Sequence, residues 1–181
     1  MCQAEAMSDT WTLTADDGEL LLHTGTAGRA ARTGHKLTIA MTSWQAQATV
    51  ADGHPTEVTL TVDVDSLDVV NGEGGLTPWT GVEAGTARKN ALKSLDAKKY
   101  PQITYRSTGV QRDGDTYAVS GELTVCGVTR PHPLTVTRDG DRFSCESVIT
   151  QTDFKIKPFS LMMGSVKVAD DVSVSITATA G

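Results

Sequence analysis

Aromatic side chains are scarce in this chain: three Trp, three Tyr and three Phe make up 5% of it. Aromatics carry the largest burial per side chain. A core with so few must be built from small and β-branched groups, or must leave space. Cysteine is scarce too. Cys2, Cys126 and Cys145 are odd in number and unpaired in spacing, which excludes a disulfide framework and predicts free, buried thiols for the last two. Positive charge is in deficit, 16 Lys and Arg against 22 Asp and Glu for a net charge of −6. A nucleic-acid binder needs a basic face, so that class is excluded as a primary function. Nothing approaches the ~18 consecutive apolar residues of a helical membrane span. The first residues hold no basic segment followed by an apolar one, so no secretory signal or lipoprotein anchor is read there, and the cytoplasm is the expected location. Met1 and Met7 are both candidate starts. His23, His35, His54 and His132 show no metal-ligand spacing, so neither a metal nor a catalytic cofactor is expected.

What is present is alternation. Val58, Leu60, Val62 and Val64 alternate with Thr59, Thr61, Asp63 and Asp65. Residues two apart share one face of a strand, so this run is a half-buried strand. The same rhythm runs through 37–41, 45–51, 117–125, 134–136, 143–149 and 172–176, and more weakly through Leu20 with Leu22 and Ile103 with Tyr105. Arg112-Asp113-Gly114-Asp115 and Arg138-Asp139-Gly140-Asp141 carry Asp-Gly between alternating runs, a hairpin signal. Residues 70–81 read as a Gly/Pro-rich loop. A helix is expected at about residues 82–97, where Ala87, Ala91, Leu92 and Leu95 recur at helical spacing before Tyr100-Pro101. Residues 1–10 read as a disordered tail and 11–181 as one domain. About eight amphipathic antiparallel strands bury one face either as a sandwich or as a barrel. The light side chains favour a barrel with an occupiable cavity.

Three stretches carry a resemblance. Residues 92–107, from Leu92-Lys93-Ser94 through Tyr100-Pro101-Gln102-Ile103 to Ser107, resemble the central signature of the YceI-like family. Gly121-Glu122-Leu123-Thr124 followed by Gly127-Val128-Thr129 resembles its second signature, and Ser66-Leu67-Asp68 a strand end that precedes a variable loop. The resemblance implies an all-β fold: a single antiparallel, eight-stranded, lipocalin-like barrel with the helix beside it. It also implies an apolar tunnel able to hold a polyisoprenoid chain, such as an isoprenoid quinone or polyprenyl lipid, and it allows a homodimer. The helix reads Arg88-Lys89-Asn90-Ala91-Leu92 where the family has an Arg-Asp-x-His-Leu pattern.

The candidate tunnel lining is the inward stripe Leu20, Leu22, Leu37, Ile39, Met41, Val58, Leu60, Val62, Ile103, Tyr105, Val119, Leu123, Val136, Phe143 and Val174. Such a stripe would take up hydrocarbon at ~0.8 kcal/mol per buried methylene; the alternative is ordinary core packing. Arg88, Lys89 and Lys93 would meet a phosphate head group, or form a solvated helix face. His35, in the small basic segment 27–36, would bond a polar ligand end at the entrance, or serve structure alone. The Gly72-Glu73-Gly74-Gly75 stretch reads as a lid or a plain surface loop. No nucleophile motif is found. The leading expectation is a non-enzymatic carrier of a small apolar or amphipathic lipid. A barrel enzyme such as a cyclase or isomerase, and a structural or stress protein without a ligand, are the alternatives.

Overall fold

The computed structural model describes residues 8–181. The expected tail therefore lies outside the described residues except for its last three, and Asp9 and Thr10 already belong to a strand. Cys2 and both candidate starts lie outside them as well. The strands are β1 (Asp9–Thr14), β2 (Gly18–Ala27), β3 (His35–Met41), β4 (Trp44–Ala51), β5 (His54–Asp63), β6 (Leu67–Gly74), β7 (Gln102–Asp113), β8 (Thr116–Val125), β9 (Val128–Pro131), β10 (Leu134–Asp139), β11 (Arg142–Thr150), β12 (Ser160–Leu161) and β13 (Val166–Thr179). One helix, α1 (Gly81–Ser94), lies between β6 and β7.

All of these strands join one curled antiparallel sheet in the order β1-β4-β5-β7-β8-β10-β11-β13-β2-β3-β6, with β9 on β8 and β12 on β13. The expected count of eight is thus replaced by thirteen. One of the additional strands is β6, expected in part as loop; it follows a bend at which two neighbouring runs turn together. Thr42 and Ser43 interrupt β3–β4, and a 3-10 turn, Val64–Ser66, interrupts β5–β6. Hydrogen bonds hold the bend: the Thr42 amide donates to Ser66 O at 3.3 Å, Asp63 N to Ser43 O at 3.0 Å and Val64 N to Pro101 O at 2.9 Å. Ser43 also donates to the Asp63 carboxylate at 2.6 Å, and this bond, with a weaker one from Gln102, lowers that carboxyl's pKa. The short β9 and β12 had no alternation long enough to read, whereas Trp11 and Leu13 between threonines in β1 carried as much signal as Leu20 with Leu22 and went unread. The run from His54 to Gly74 pairs with β7 along its first part and with β3 along its second, so the sheet curls back on itself.

Burial follows the alternation. In β8, Tyr117, Val119, Gly121, Leu123 and Val125 are buried and the residues between them are not. The Asp-Gly hairpins are present, but their two central residues are Gly114-Asp115 and Gly140-Asp141, given the pairs Asp113 with Thr116 and Asp139 with Arg142. Only the glycines have positive φ, 61° and 63°, the pattern of a type II′ turn, whose twist matches the flanking strands.

Two predicted boundaries move. The 70–81 stretch is strand as far as Gly74, paired with β3. The helix ends at Ser94 instead of 97, because Leu95 caps it and Asp96 turns to φ 47°. At its start Thr80 and Glu83 form a capping box, in which the Thr80 amide donates to the Glu83 carboxylate at 3.1 Å and the two side chains bond directly. Bonds from Thr80 hold the Glu83 carboxyl below its usual pKa.

Candidate functional site

The inner faces of the sheet and one stripe of α1 enclose an apolar cavity of about 820 Å³. Specific small-molecule pockets span roughly 300–1,000 Å³, so this one is large. Its first wall consists of cross-strand rows, since residues directly opposite in an antiparallel pair share a face. One row is Cys145, Ile176 and Leu20; the next is Ser147, Val174, Leu22 and Ile39; a third is Ile149, Val172 and Thr24. The facing wall holds Leu60, Val62, Ile103 and Leu123 from β5, β7 and β8. α1 closes the side that β6 leaves without a further strand. Glu83, Ala87, Asn90, Ala91 and Ser94 face inward at three- and four-residue spacing, as one stripe of a helix must.

The two ends differ. At one end the Tyr117 and Phe143 rings lie 6.3 Å apart, and the Trp11 and Phe143 rings 5.8 Å apart. The Arg138 guanidinium sits 5.2 Å over Phe143 and 5.5 Å over Trp11, and donates to Gly53 O at 2.8 Å. Three of the nine aromatics are thus spent on plugging one end, while only Trp79 and Phe159 line the cavity. The other end is open and is bordered by Thr33, His35, Leu76, Trp79, Val82, Leu161 and Met162. Gly72 lets Trp79 lie flat on β6, since a Cβ there would come within 2.4 Å of the indole; Gly75 does the same for His35 at 2.7 Å. The His35 and Trp79 rings pack at 5.2 Å, and His35 Nε2 lies 2.9 Å from Thr77 O. The stretch expected to be a lid is therefore partly a strand that supports the rim.

Ten of the fifteen expected lining residues line the cavity: Leu20, Leu22, Leu37, Ile39, Met41, Leu60, Val62, Ile103, Leu123 and Val174. The other five do not. Val119, Val136 and Phe143 face inward but pack into the plugged end with Tyr117. Tyr105 shares the inward face of Leu60 and Leu123, but its ring lies along the sheet against Gly121 with its hydroxyl donating to His132 O at 2.9 Å, so it does not line the cavity; burial pushes its pKa up to about 12. Val58 shares a face with Leu60 but lies nearer the β4–β5 hairpin, beyond the cavity. Of the expected head-group residues, only His35 reaches the cavity. Arg88 is spent on β6, donating to Leu67 O at 2.8 Å and Asp65 O at 2.7 Å and pairing with the Asp65 carboxylate at 3.5 Å. Lys89 and Lys93 are on the exposed side of α1.

Sequence reasoning missed a polar station among the apolar rows. His132 Nε2 lies 2.6 Å from Ser147 Oγ, and both groups line the cavity. Burial lowers the His132 pKa, so the imidazole is neutral at pH 7 and acts by hydrogen bonding. Among the described residues no carboxylate bonds this ring. The signal available was Ser147 standing between Cys145 and Ile149 on an inward face. Burial, with a smaller contribution from Glu146, also raises the pKa of the Cys145 thiol, which stays protonated. Cys126 and Cys145 are free, as expected. Among the described residues no three His, Cys, Asp or Glu gather as metal ligands, and no helix is long and apolar enough to cross a membrane.

A family model described as the YceI-like domain matches residues 11–180. A protein YceI of Escherichia coli O6:H1 is 38% identical over 85 residues, 40% of this chain and 44% of the relative. A UPF0312 protein of Pectobacterium atrosepticum is 31% identical over 113 residues, 55% of this chain and 52% of the relative. The chain thus spans about half the length of the curated relatives it matches. Among solved structures, Burkholderia cenocepacia BcnA superposes with a TM-score of 0.65 at 21% identity, over 90% of this chain and 96% of that one. A Campylobacter jejuni YceI protein gives a TM-score of 0.51 at 22% identity, over 70% and 72%. At such identities the likeness shows the fold alone.

Proposed function

Because the chain belongs to the YceI-like family, we propose that its cavity is a chamber for one long amphipathic lipid of isoprenoid type, which the protein carries or sequesters without turning it over. The observation that carries this reading is the cavity itself: about 820 Å³, open at one end, plugged at the other and lined mainly by aliphatic side chains. Such space is costly in a protein core, because unfilled lining loses dispersion contacts. A hydrocarbon chain would restore them. About ten buried methylenes at ~0.8 kcal/mol each are worth ~8 kcal/mol before association costs, enough for binding without charge pairing. His132 with Ser147 would select a hydroxyl or carbonyl on the ligand, and His35 would meet a polar group at the mouth. Carriage in place of catalysis is supported by the protonated Cys145 thiol and by a His132–Ser147 pair that no carboxylate among the described residues bonds. Free Cys126 and Cys145 suit a reducing compartment, so we place the protein in the cytoplasm.

Organic extraction of the purified protein, with mass spectrometry of the extract, tests the proposal. A single class of long-chain amphipathic lipid at near-stoichiometric amount is expected. The same extraction after Leu60→Asp or Ile39→Asp should return little lipid from protein of unchanged strand content. Lipid-free wild-type protein that also refuses added lipid would overturn the reading.

A further inference from the structure

The cavity mouth is built unlike the rest of the surface. Leu76 and Val82 are 79% and 77% exposed, Met162 is 70% exposed, and Leu161 and Met163 are also exposed. Few large apolar residues elsewhere in the described chain are so exposed, and four of these five also line the cavity rim. A contiguous apolar rim of this kind marks an interaction surface. Met162 and Met163 are held out at the tip of a turn with left-handed backbone, φ 51° and 57°, followed by Gly164 at φ 87°. Non-glycine residues adopt that conformation at a cost of roughly 1–2 kcal/mol each.

Charge says what this surface meets. The segments that form the mouth are residues 28–36, 73–83 and 157–167, and contacts tie them together. Ala30 N donates to Ser165 O at 2.8 Å, β12 pairs with β13, and His35 packs on Trp79. They carry Arg29, Arg32, Lys36, Lys157 and Lys167, all exposed, against two carboxylates, Glu73 and Glu83. Glu73 faces Lys36 across β3–β6, and Glu83 is engaged by Thr80. A net positive ring thus surrounds the apolar tips in a chain whose total charge is −6. Long-range attraction of this end to an anionic surface and repulsion of the acidic remainder would set one orientation. Apolar tips inside a ring of exposed cations are what an interfacial lipid surface accepts, with the tips in the acyl boundary and the cations among the head groups.

We propose that the open mouth docks on the head groups of an anionic bilayer, so that a lipid passes between membrane and cavity without crossing water. This rests on the reading of the cavity as a lipid chamber, and its test is separable from that reading. The full chain is sedimented with vesicles of phosphatidylcholine alone, and with vesicles containing roughly one-third phosphatidylglycerol. Binding is expected to the second and not the first, and to weaken as salt rises. Arg29→Glu with Arg32→Glu, and separately Met163→Asp, should each lower vesicle affinity by at least about tenfold. Neither change touches the cavity lining, so uptake of detergent-dispersed quinone should stay within about twofold of wild type. Transfer of quinone from anionic vesicles should slow in both variants. The proposal fails if wild type ignores anionic vesicles, if it binds neutral and anionic vesicles equally, or if sedimentation velocity shows a dimer that Met163→Asp dissolves. The last outcome would assign the rim to a second copy of the chain. Normal vesicle docking with no quinone uptake would sink the chamber reading alone.

Discussion

Replacing Val174 by Phe separates a binding chamber from an ordinary core by the sign of a stability change. Val174 stands in the middle of a wall row, between Leu22 and Ser147, and its side chain faces the cavity. Phe brings about four more carbons, each worth ~0.8 kcal/mol when buried, so filling open space would stabilise the protein by up to ~3 kcal/mol. In a closely packed core the same change costs roughly 1–3 kcal/mol through strain. Phe suits a strand, so secondary-structure preference does not cloud the comparison. In a chain of this length ~1 kcal/mol moves Tm by about 2–4 °C. The assay is thermal unfolding of delipidated protein beside a lipid titration. Tm is expected to rise by several degrees while lipid affinity falls. A Tm that drops by 3 °C or more, with lipid uptake intact, would show that there is no chamber at Val174.

Three further outcomes follow from the same geometry. Ser147→Val or His132→Phe should cost a ligand bearing a carbonyl or hydroxyl about 1 kcal/mol, near fivefold in Kd, and leave an unsubstituted hydrocarbon unaffected; competition titrations with the two ligand types check this. Burial lowers the folded-state pKa of His132 below its usual 6.5, so between those two values the unfolded chain binds more protons than the folded one. Stability from this group is full above 6.5 and is lost as pH falls toward the folded pKa; urea midpoints at descending pH should show less acid destabilisation in His132→Phe than in wild type. Arg138→Ala removes the bond to Gly53 O and the cation over Trp11 and Phe143. It should lower stability by about 1–3 kcal/mol in urea unfolding without changing lipid affinity, because it acts at the plugged end.

Alternation made most of the sheet legible. Val58, Leu60 and Val62 could be placed on one face because the strand period admits no third option. The alternation could not say how far down the barrel each residue lies. Val136 and Phe143 have the same pattern as Leu20 and Val174, yet they belong to the plug, because Tyr117, Trp11 and Arg138 converge there from other strands. Depth depends on register between strands distant in sequence. The break at Thr42–Ser43 was legible as a gap between two alternating runs, but not what holds it, because its partners, Ser66, Asp63 and Pro101, act from other segments. Arg88 shows the limit of charge reading. A cation on an amphipathic helix resembles a ligand anchor until the carbonyls of Asp65 and Leu67 are seen to take it. His35 was legible as an entrance residue from its place in the small basic segment 27–36 between early strands, and the structure puts it at the start of β3, on the cavity rim. The aromatic shortage was the best early clue to empty space, and the structure adds that three of the nine are gathered in the plug while only Trp79 and Phe159 line the cavity.

The chamber reading is tested most directly through Trp79. It lines the cavity, whereas Trp44 is buried outside it and Trp11 belongs to the plug. Delipidated protein is titrated with a short-tailed benzoquinone while tryptophan emission is recorded, beside a Trp79→Phe variant. Saturable one-to-one quenching in the micromolar range or tighter, largely lost in the variant while the emission of Trp11 and Trp44 persists, is the predicted result. Emission that falls only linearly with quinone, to the same degree in both proteins, would contradict it.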